Sequence, residues 1–143
     1  MVRNEGGCAL SFAYRVPSAK SVAEALEAVE SALAAHRFKA LWQTDMGATL
    51  AEKGFPGHGA MHVLEICSPA RADELLRINP DNAYFLPCRL LVRETAGGSE
   101  IGILSPEQLI GLAEEEGQGA DRLAKLASEV EVELHAIVDD AAR

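Results

Sequence analysis

Two cysteines stand where the sequence predicts the ends of neighbouring strands. Cys67 closes an apolar run and is followed at once by Ser68-Pro69, a pair typical of a helix start. Cys88 opens the next predicted strand, directly after Pro87. Because the positive end of a helix favours a thiolate, Cys67 is a candidate reactive thiol, and antiparallel pairing of the two strands brings Cys88 beside it. The pair fits a redox couple, half of a metal site, or two small buried apolar side chains.

The helix start at Ser68 is also a candidate anion site. The first N–H groups of a helix have no partner inside the helix and attract negative charge. The chain carries 13 basic and 22 acidic residues, a net charge of −9, so one positive spot is a distinctive place for a small anionic ligand. We therefore predict that any ligand or chemistry lies at Cys67, Ser68 and Cys88. The alternative is that the Ser68 hydroxyl oxygen caps the helix and that both thiols are buried away from solvent.

Two histidines, His58 and His62, have the spacing of a helical metal-binding pair. The stretch Gly54–Gly59 contains three glycines and a proline, which argues against a helix there. In an extended strand the two side chains lie about 13 Å apart, too far for one ion. The sequence therefore predicts no metal site. Both histidines are kept as candidates for contacting a ligand, and Gly54–Gly59 is a ligand-facing loop or an ordinary connection.

The sequence contains no complete catalytic constellation. The glycine-rich loop leads into a strand rather than a helix, so it lacks the context that cradles a phosphate. No G-x-S-x-G elbow is present, and Ser68 and Ser105 each fit a helix cap. We identify no catalytic residue and no cofactor from the sequence, and it does not decide whether the protein is an enzyme.

The elements that position these residues follow from periodicity and turn residues. Alternating or continuous apolar runs predict strands, at Cys8–Tyr14, Phe38–Thr44, Met61–Cys67, Cys88–Glu94 and Glu100–Leu104. Helical spacing after cap residues predicts helices, at Ser21–Ala35, from Pro69 to Asn79-Pro80, from Pro106 to Gly117, and at Leu123–Val138, with a short helical turn at Ala48–Lys53. Pro17 ends the first strand, and a hairpin joins the last two at Ala96-Gly97-Gly98.

This order of elements indicates a single α+β domain. A length of 143 residues is that of one ordinary domain, here spanning residues 1–143. Hairpin-linked strands interrupted by helices favour a mainly antiparallel sheet with helices on one face, rather than a doubly wound parallel sheet. Met61–Cys67 is nearly all apolar, which is typical of a central strand covered on both faces.

Composition and charge exclude several partners. A net charge of −9 argues against nucleic-acid binding and against an anionic membrane surface. Three cysteines, an odd number, fit reduced thiols in the cytosol better than a disulfide framework. The sequence shows neither a secretory signal nor a run of about 18 apolar residues that would span a membrane. We therefore expect a cytoplasmic protein without nucleic-acid or membrane partners.

Several of these segments resemble the core of the family called domain of unknown function 302. The resemblance is carried by Ile66-Cys67-Ser68-Pro69, Asn79-Pro80 and Phe85-Leu86-Pro87-Cys88, with upstream support from Ser21–Ala25 and Ala48-Thr49-Leu50. The chain departs from the family pattern at Ser68, where Asn is favoured. The resemblance implies a fold of the TATA-binding-protein type, a strand and a helix followed by four strands and a helix, with a curved antiparallel sheet and frequent dimers. It implies no catalytic residue.

Three function classes fit these observations. The first is a non-catalytic small-ligand-binding or regulatory homodimer, because no catalytic constellation is present and the apolar run Met61–Ile66 needs a second copy to cover it on a face without helices. The second is a thiol-dependent redox protein using Cys67 and Cys88. The third is a protein-interaction module on the acidic C-terminal helix, since the residues from Glu107 to Arg143 include ten acids and three bases.

Overall fold

The computed structural model describes residues 12–112 and 119–143. Within them the strands are β1 (Ala13–Ser18), β2 (Lys39–Asp45), β3 (Met61–Cys67), β4 (Cys88–Thr95) and β5 (Gly98–Leu104). The helices are α1 (Val22–Ala35), α2 (Met46–Glu52), α3 (Pro69–Ile78), α4 (Pro106–Leu112) and α5 (Ala120–Ala142), with a 3-10 helix at Pro80–Phe85. The order of strands and helices is the predicted one, and the α+β class is confirmed.

All five strands form one antiparallel sheet in the order β1-β5-β4-β3-β2. Leu90 of β4 lies opposite Leu64 in β3 and Ile103 in β5, so these three side chains share one face of the sheet. β4 is the middle strand of the five, and β3, which the sequence predicted as a central strand, lies inside the sheet between β4 and β2.

The main core lies between this face of the sheet and the helices α1 and α5. α1 begins with the predicted capping box, in which the Ser21 hydroxyl accepts the Glu24 N–H at 3.1 Å and the Glu24 carboxylate accepts the Ser21 N–H at 2.9 Å. Val29 of α1 and Leu134 of α5 are then fully buried against Leu90 and other strand residues. The helices are thereby held on one side of the sheet.

The opposite face of β1, β5 and β4 has no helix packed against it in the described part of the chain. Side chains on this side alternate with the core residues, as in β4, where Arg89, Leu91 and Arg93 alternate with buried Leu90 and Val92. We call this surface the uncovered face, and it consists of Ala13, Arg15, Pro17, Arg89, Leu91, Arg93, Glu100, Gly102 and Leu104.

The first strand differs from its prediction. β1 continues through Pro17 to Ser18, whereas the sequence predicted a strand that ends before the proline. Proline is tolerated here because β1 is an edge strand, and the N–H that proline lacks is not needed on its open side. The predicted beginning of this strand at Cys8 lies outside the described residues.

Two helical segments also differ from their predictions. α5 has 23 residues and extends beyond the predicted Leu123–Val138 at both ends. The 3-10 helix Pro80–Phe85 was not predicted, because Asn79-Pro80 indicates only where α3 stops. The predicted end of the fourth helix at Gly117 lies outside the described residues. No helix in residues 12–112 or 119–143 combines the length and the apolar character needed to cross a bilayer.

Candidate functional site

Cys67 and Cys88 lie beside each other at one end of the sheet. Cys67 is the last residue of β3, and Cys88, the first residue of β4, stands opposite Ile66 in the antiparallel ladder. The predicted proximity of the two cysteines is therefore found. Both thiols are free, and both line a small cavity against α3, next to Leu75. Its volume of about 20 Å³ holds roughly one water molecule.

The surroundings of this cavity favour the neutral form of both thiols over the thiolate. Burial raises the pKa of Cys67, and the nearby Lys39 only partly opposes it. Burial also raises the pKa of Cys88 to about 12, with smaller contributions from Cys67 and from two carboxylates. The thiolate that the sequence led us to expect at Cys67 is therefore opposed by burial, which raises the pKa of this thiol.

Ser68 caps α3, which is the alternative stated above for the proposed anion site. Its hydroxyl oxygen lies 3.5 Å from the N–H of Arg71 that it faces as the N-cap residue. The Arg71 guanidinium, from the first turn of α3, is bound by Glu129 at 2.9 Å and Glu133 at 3.1 Å. These contacts reduce the positive potential at the helix start, so the geometry gives little support for an anion there.

The two histidines do not join the cysteine cluster. His58 is exposed in the loop between α2 and β3, while His62 lies on β3 at the end away from Cys67, about 16 Å along the strand. The His62 Nε2 atom is 3.5 Å from an Asp45 carboxylate oxygen. Asp45 also accepts the Ala48 N–H at the start of α2. No cluster of three or more metal-ligating side chains occurs in residues 12–112 and 119–143.

A larger concavity lies on the uncovered face. It is a groove of about 210 Å³ across β1, β5 and β4, and its floor includes Gly102 between Arg15 of β1 and Leu91 of β4. The residues lining it are Phe12, Ala13, Arg15, Arg89, Leu91, Arg93, Glu100, Gly102, Ile103 and Leu104. Sequence reasoning missed this site, although the repeated arginine spacing of Arg89 and Arg93 in a predicted strand was a usable signal.

Comparison with known proteins assigns the family. The sequence profile of the domain of unknown function DUF302 matches residues 14–141. This chain belongs to the DUF302 family. A crystal structure of an uncharacterized conserved DUF302 protein from Bacillus stearothermophilus is similar to this DUF302 chain at 32% sequence identity, with a TM-score of 0.85, over 94% of this chain and 100% of the other. A search of curated proteins finds no match.

The DUF302 chain contains a second polar cluster that the sequence did not indicate. The rings of Tyr14 on β1 and His135 on α5 stack with centroids 3.9 Å apart and planes 9° from parallel. The Tyr14 hydroxyl donates to Asp139 at 2.6 Å. The His135 Nε2 atom lies 2.8 Å from Glu131, which also accepts the Ser105 hydroxyl at 2.7 Å. Serine and histidine both face the carboxylate, so this is not a serine-nucleophile triad.

The Tyr14 contact predicts a stability change in alkaline solution. The hydrogen bond to Asp139, with help from burial, raises the pKa of Tyr14 to about 12 from 10.0. A raised folded-state pKa contributes stability that is complete below pH 10 and is lost as the pH rises to about 12. We expect the difference in urea stability between the wild type and Tyr14→Phe to shrink across this range, whereas Tyr84→Phe serves as an exposed control. Parallel curves for the wild type and Tyr14→Phe would contradict the assignment.

The acidic C-terminal helix of this DUF302 chain offers fewer free carboxylates to a partner protein than its charge indicates. Its carboxylates are largely engaged within the fold: Glu129 and Glu133 bind Arg71, Glu131 binds Ser105 and His135, Asp139 binds Tyr14, and Asp140 contacts His36 and Arg143. A docking surface for a basic partner needs free carboxylates. The interaction-module interpretation stays a prediction, and these contacts count against it.

Proposed function

We propose that the protein is a non-catalytic small-ligand-binding protein that acts as a homodimer. The observation that carries the proposal is the groove on the uncovered face, which combines apolar side chains with several arginines. Ligand sites in proteins are typically apolar concavities with a few polar groups that fix the ligand's orientation. The groove fits that description, whereas the cavity at Cys67 and Cys88 has room for about one water.

The chemistry of the side chains supports binding rather than catalysis. The two described thiols have raised pKa values, and a buried neutral thiol is a poor nucleophile. The Ser105 hydroxyl donates to Glu131 and has no histidine base in the arrangement described above. Among the described residues, the charged side chains that line the groove on the uncovered face are three arginines and one glutamate. Thiol-dependent redox chemistry at Cys67 and Cys88 stays the second candidate, since the two residues do lie side by side.

The homodimer is best supported at strand β2. The apolar run Met61–Ile66 divides between the two faces of the sheet, and its Leu64 and Ile66 are already buried against the helices. β2 instead forms one edge of the sheet and exposes Leu41 and Trp42, which are 56% and 50% accessible. An exposed edge strand can pair with another strand, and Leu41 lies at a register shift of β2 where it has no partner in β3. A second copy offers the same edge, so antiparallel β2–β2 pairing gives a closed two-fold dimer.

The chain's single tryptophan provides the test of the dimer. We expect light scattering at micromolar concentration to give twice the chain mass of 15.2 kDa, and Trp42→Glu to return the mass to 15.2 kDa, because it introduces charge into the apolar contact. Tyr84→Glu is the matched control, since Tyr84 is an aromatic residue with 89% exposure on the 3-10 helix. On dilution, Trp42 emission should shift to longer wavelength as the dimer dissociates. A monomeric wild type, or a dimeric Trp42→Glu variant, would refute the assignment to β2.

A further inference from the structure

We propose that the groove on the uncovered face binds a small organic anion with an apolar chain. The inference rests on the proposed ligand-binding function and names the class of ligand. Gly102, in the middle of β5, has no side chain and forms part of the groove floor, where the Arg15 side chain packs beside it. Its register partners, Arg15 on β1 and Leu91 on β4, lie on either side of it.

The backbone conformation gives no reason for a glycine at position 102, whereas the Arg15 side chain lies close to it. Gly102 is not among the residues with positive φ, so its backbone is accessible to any residue. A Cβ atom added there would lie 3.1 Å from the Cγ atom of Arg15, which belongs to a flexible side chain. Glycine in the interior of a strand weakens it, and it commonly marks a place where a ligand or another backbone approaches closely. The groove floor is such a place.

The charges around the groove select an anion. Arg15, Arg89 and Arg93 line the groove, and Glu100 is the acidic residue among its lining. The Arg93 Nε atom donates to Glu100 at 3.0 Å, and an Nη atom of Arg89 donates to Glu65 at 2.6 Å. A guanidinium has five N–H donors, so Arg89 and Arg93 keep donors for a ligand carboxylate or phosphate beside these contacts. In a chain with net charge −9, this locally basic surface favours a negative head group.

The other residues that line the groove are apolar and favour a ligand with an apolar chain. Ala13, Leu91 and Leu104 contribute aliphatic groups, and the ring of Phe12 is 38% exposed at the same groove. An inorganic anion would leave this apolar surface in contact with water, and a neutral apolar molecule would form no charge-assisted hydrogen bond with the arginines. A volume of about 210 Å³ is below the range of roughly 300–1,000 Å³ typical of sites for drug-sized ligands. The occupant is therefore a short-chain amphipathic anion.

Calorimetric titration with octanoate tests this class of ligand. Octanol has a chain of the same length without the charge, acetate has the charge without the chain, and octyl phosphate distinguishes a phosphate from a carboxylate head group. We expect octanoate or octyl phosphate to bind at least about tenfold more tightly than octanol and acetate, since charge-assisted hydrogen bonds to arginine add to apolar contact. Equal binding of octanol, equal binding of acetate, or no binding by either amphipathic anion would overturn the proposal.

Gly102→Val localises the binding to the groove. Valine fills the floor of the groove and requires the Arg15 side chain to shift, so we expect a folded variant with at least about a tenfold loss of affinity. Gly111→Val on α4, where a Cβ atom meets nothing within 4 Å, is the matched control and should bind as the wild type does. Wild-type affinity in a folded Gly102→Val variant would refute the site. A monomeric wild type that still binds octanoate would refute the dimer alone, and a dimeric wild type that binds neither amphipathic anion would refute the ligand class alone, so the two proposals fail independently.

Discussion

The Cys88 thiol is expected to react with an alkylating reagent about a thousandfold more slowly in the folded protein than in the unfolded chain near neutral pH. Only the thiolate reacts, and a rise in pKa from 9.0 to about 12 lowers the thiolate fraction by roughly three orders of magnitude. Cys67, whose pKa is also raised by burial, is expected to react more slowly than an unfolded cysteine. Its greater exposure makes it the faster of the two.

The measurement requires each thiol to be followed alone. Cys8→Ser removes the cysteine outside the described residues, and Cys67→Ser or Cys88→Ser in that background leaves a single thiol. Mass spectrometry then follows iodoacetamide labelling with and without urea, and the urea sample gives the unperturbed rate. Fast native labelling of Cys88 would contradict the burial argument. Fast native labelling of Cys67, with slower labelling in urea, would restore the thiol-dependent redox interpretation.

The positions of Cys67 and Cys88 in the fold could be predicted from local sequence signals. Ser68-Pro69 marks a helix start and Pro87 precedes a strand, so the positions of Cys67 and Cys88 could be inferred from a few neighbouring residues. Antiparallel pairing of the two predicted strands then brings them together, as the register of β3 and β4 confirms. The two cysteines are close because, in a pair of antiparallel strands, the end of one strand lies beside the start of the other.

The chemistry of the same pair could not be inferred, because it depends on what covers it. Leu75 of α3, Phe85 of the 3-10 helix and Val130 of α5 all line the cavity beside the thiols. These residues come from three separate elements, and the 3-10 helix has no clear sequence signal. Their apolar side chains remove water from the thiols, and this burial raises the pKa of both cysteines.

The groove could not be predicted from local sequence signals for a related reason. Gly102 belongs to a strand that was correctly predicted, yet nothing in its neighbours in sequence reveals that it faces Arg15 and Leu91. A shift of one residue in register would turn Gly102 into the core and away from the groove floor. Sequence periodicity predicts which residues share a face, whereas the groove requires knowledge of which strands are neighbours.

Leu90 and Leu91 are adjacent in β4, and we expect their substitutions to differ strongly in the effect on the free energy of unfolding. Leu90 is fully buried against the helices, and Leu91 is half-buried on the uncovered face. We expect Leu90→Ala to lower the free energy of unfolding by about 2–5 kcal/mol, because it leaves a cavity in the main core. Leu91→Ala should cost about 1 kcal/mol or less, because its side chain is already partly in water. Urea denaturation at one fixed protein concentration compares the two.

The same pair separates a structural role from a binding role. Leu91 lines the groove and Leu90 does not, so Leu91→Ala should weaken octanoate binding while the folded fraction of Leu90→Ala retains it. Stability and binding are thus expected to respond to different residues that are adjacent in sequence, since successive side chains of a strand point to opposite faces. Equal stability losses would contradict the face assignment. Unchanged octanoate affinity in Leu91→Ala would count against the groove, because an apolar chain bound there must contact the side chain beside Gly102.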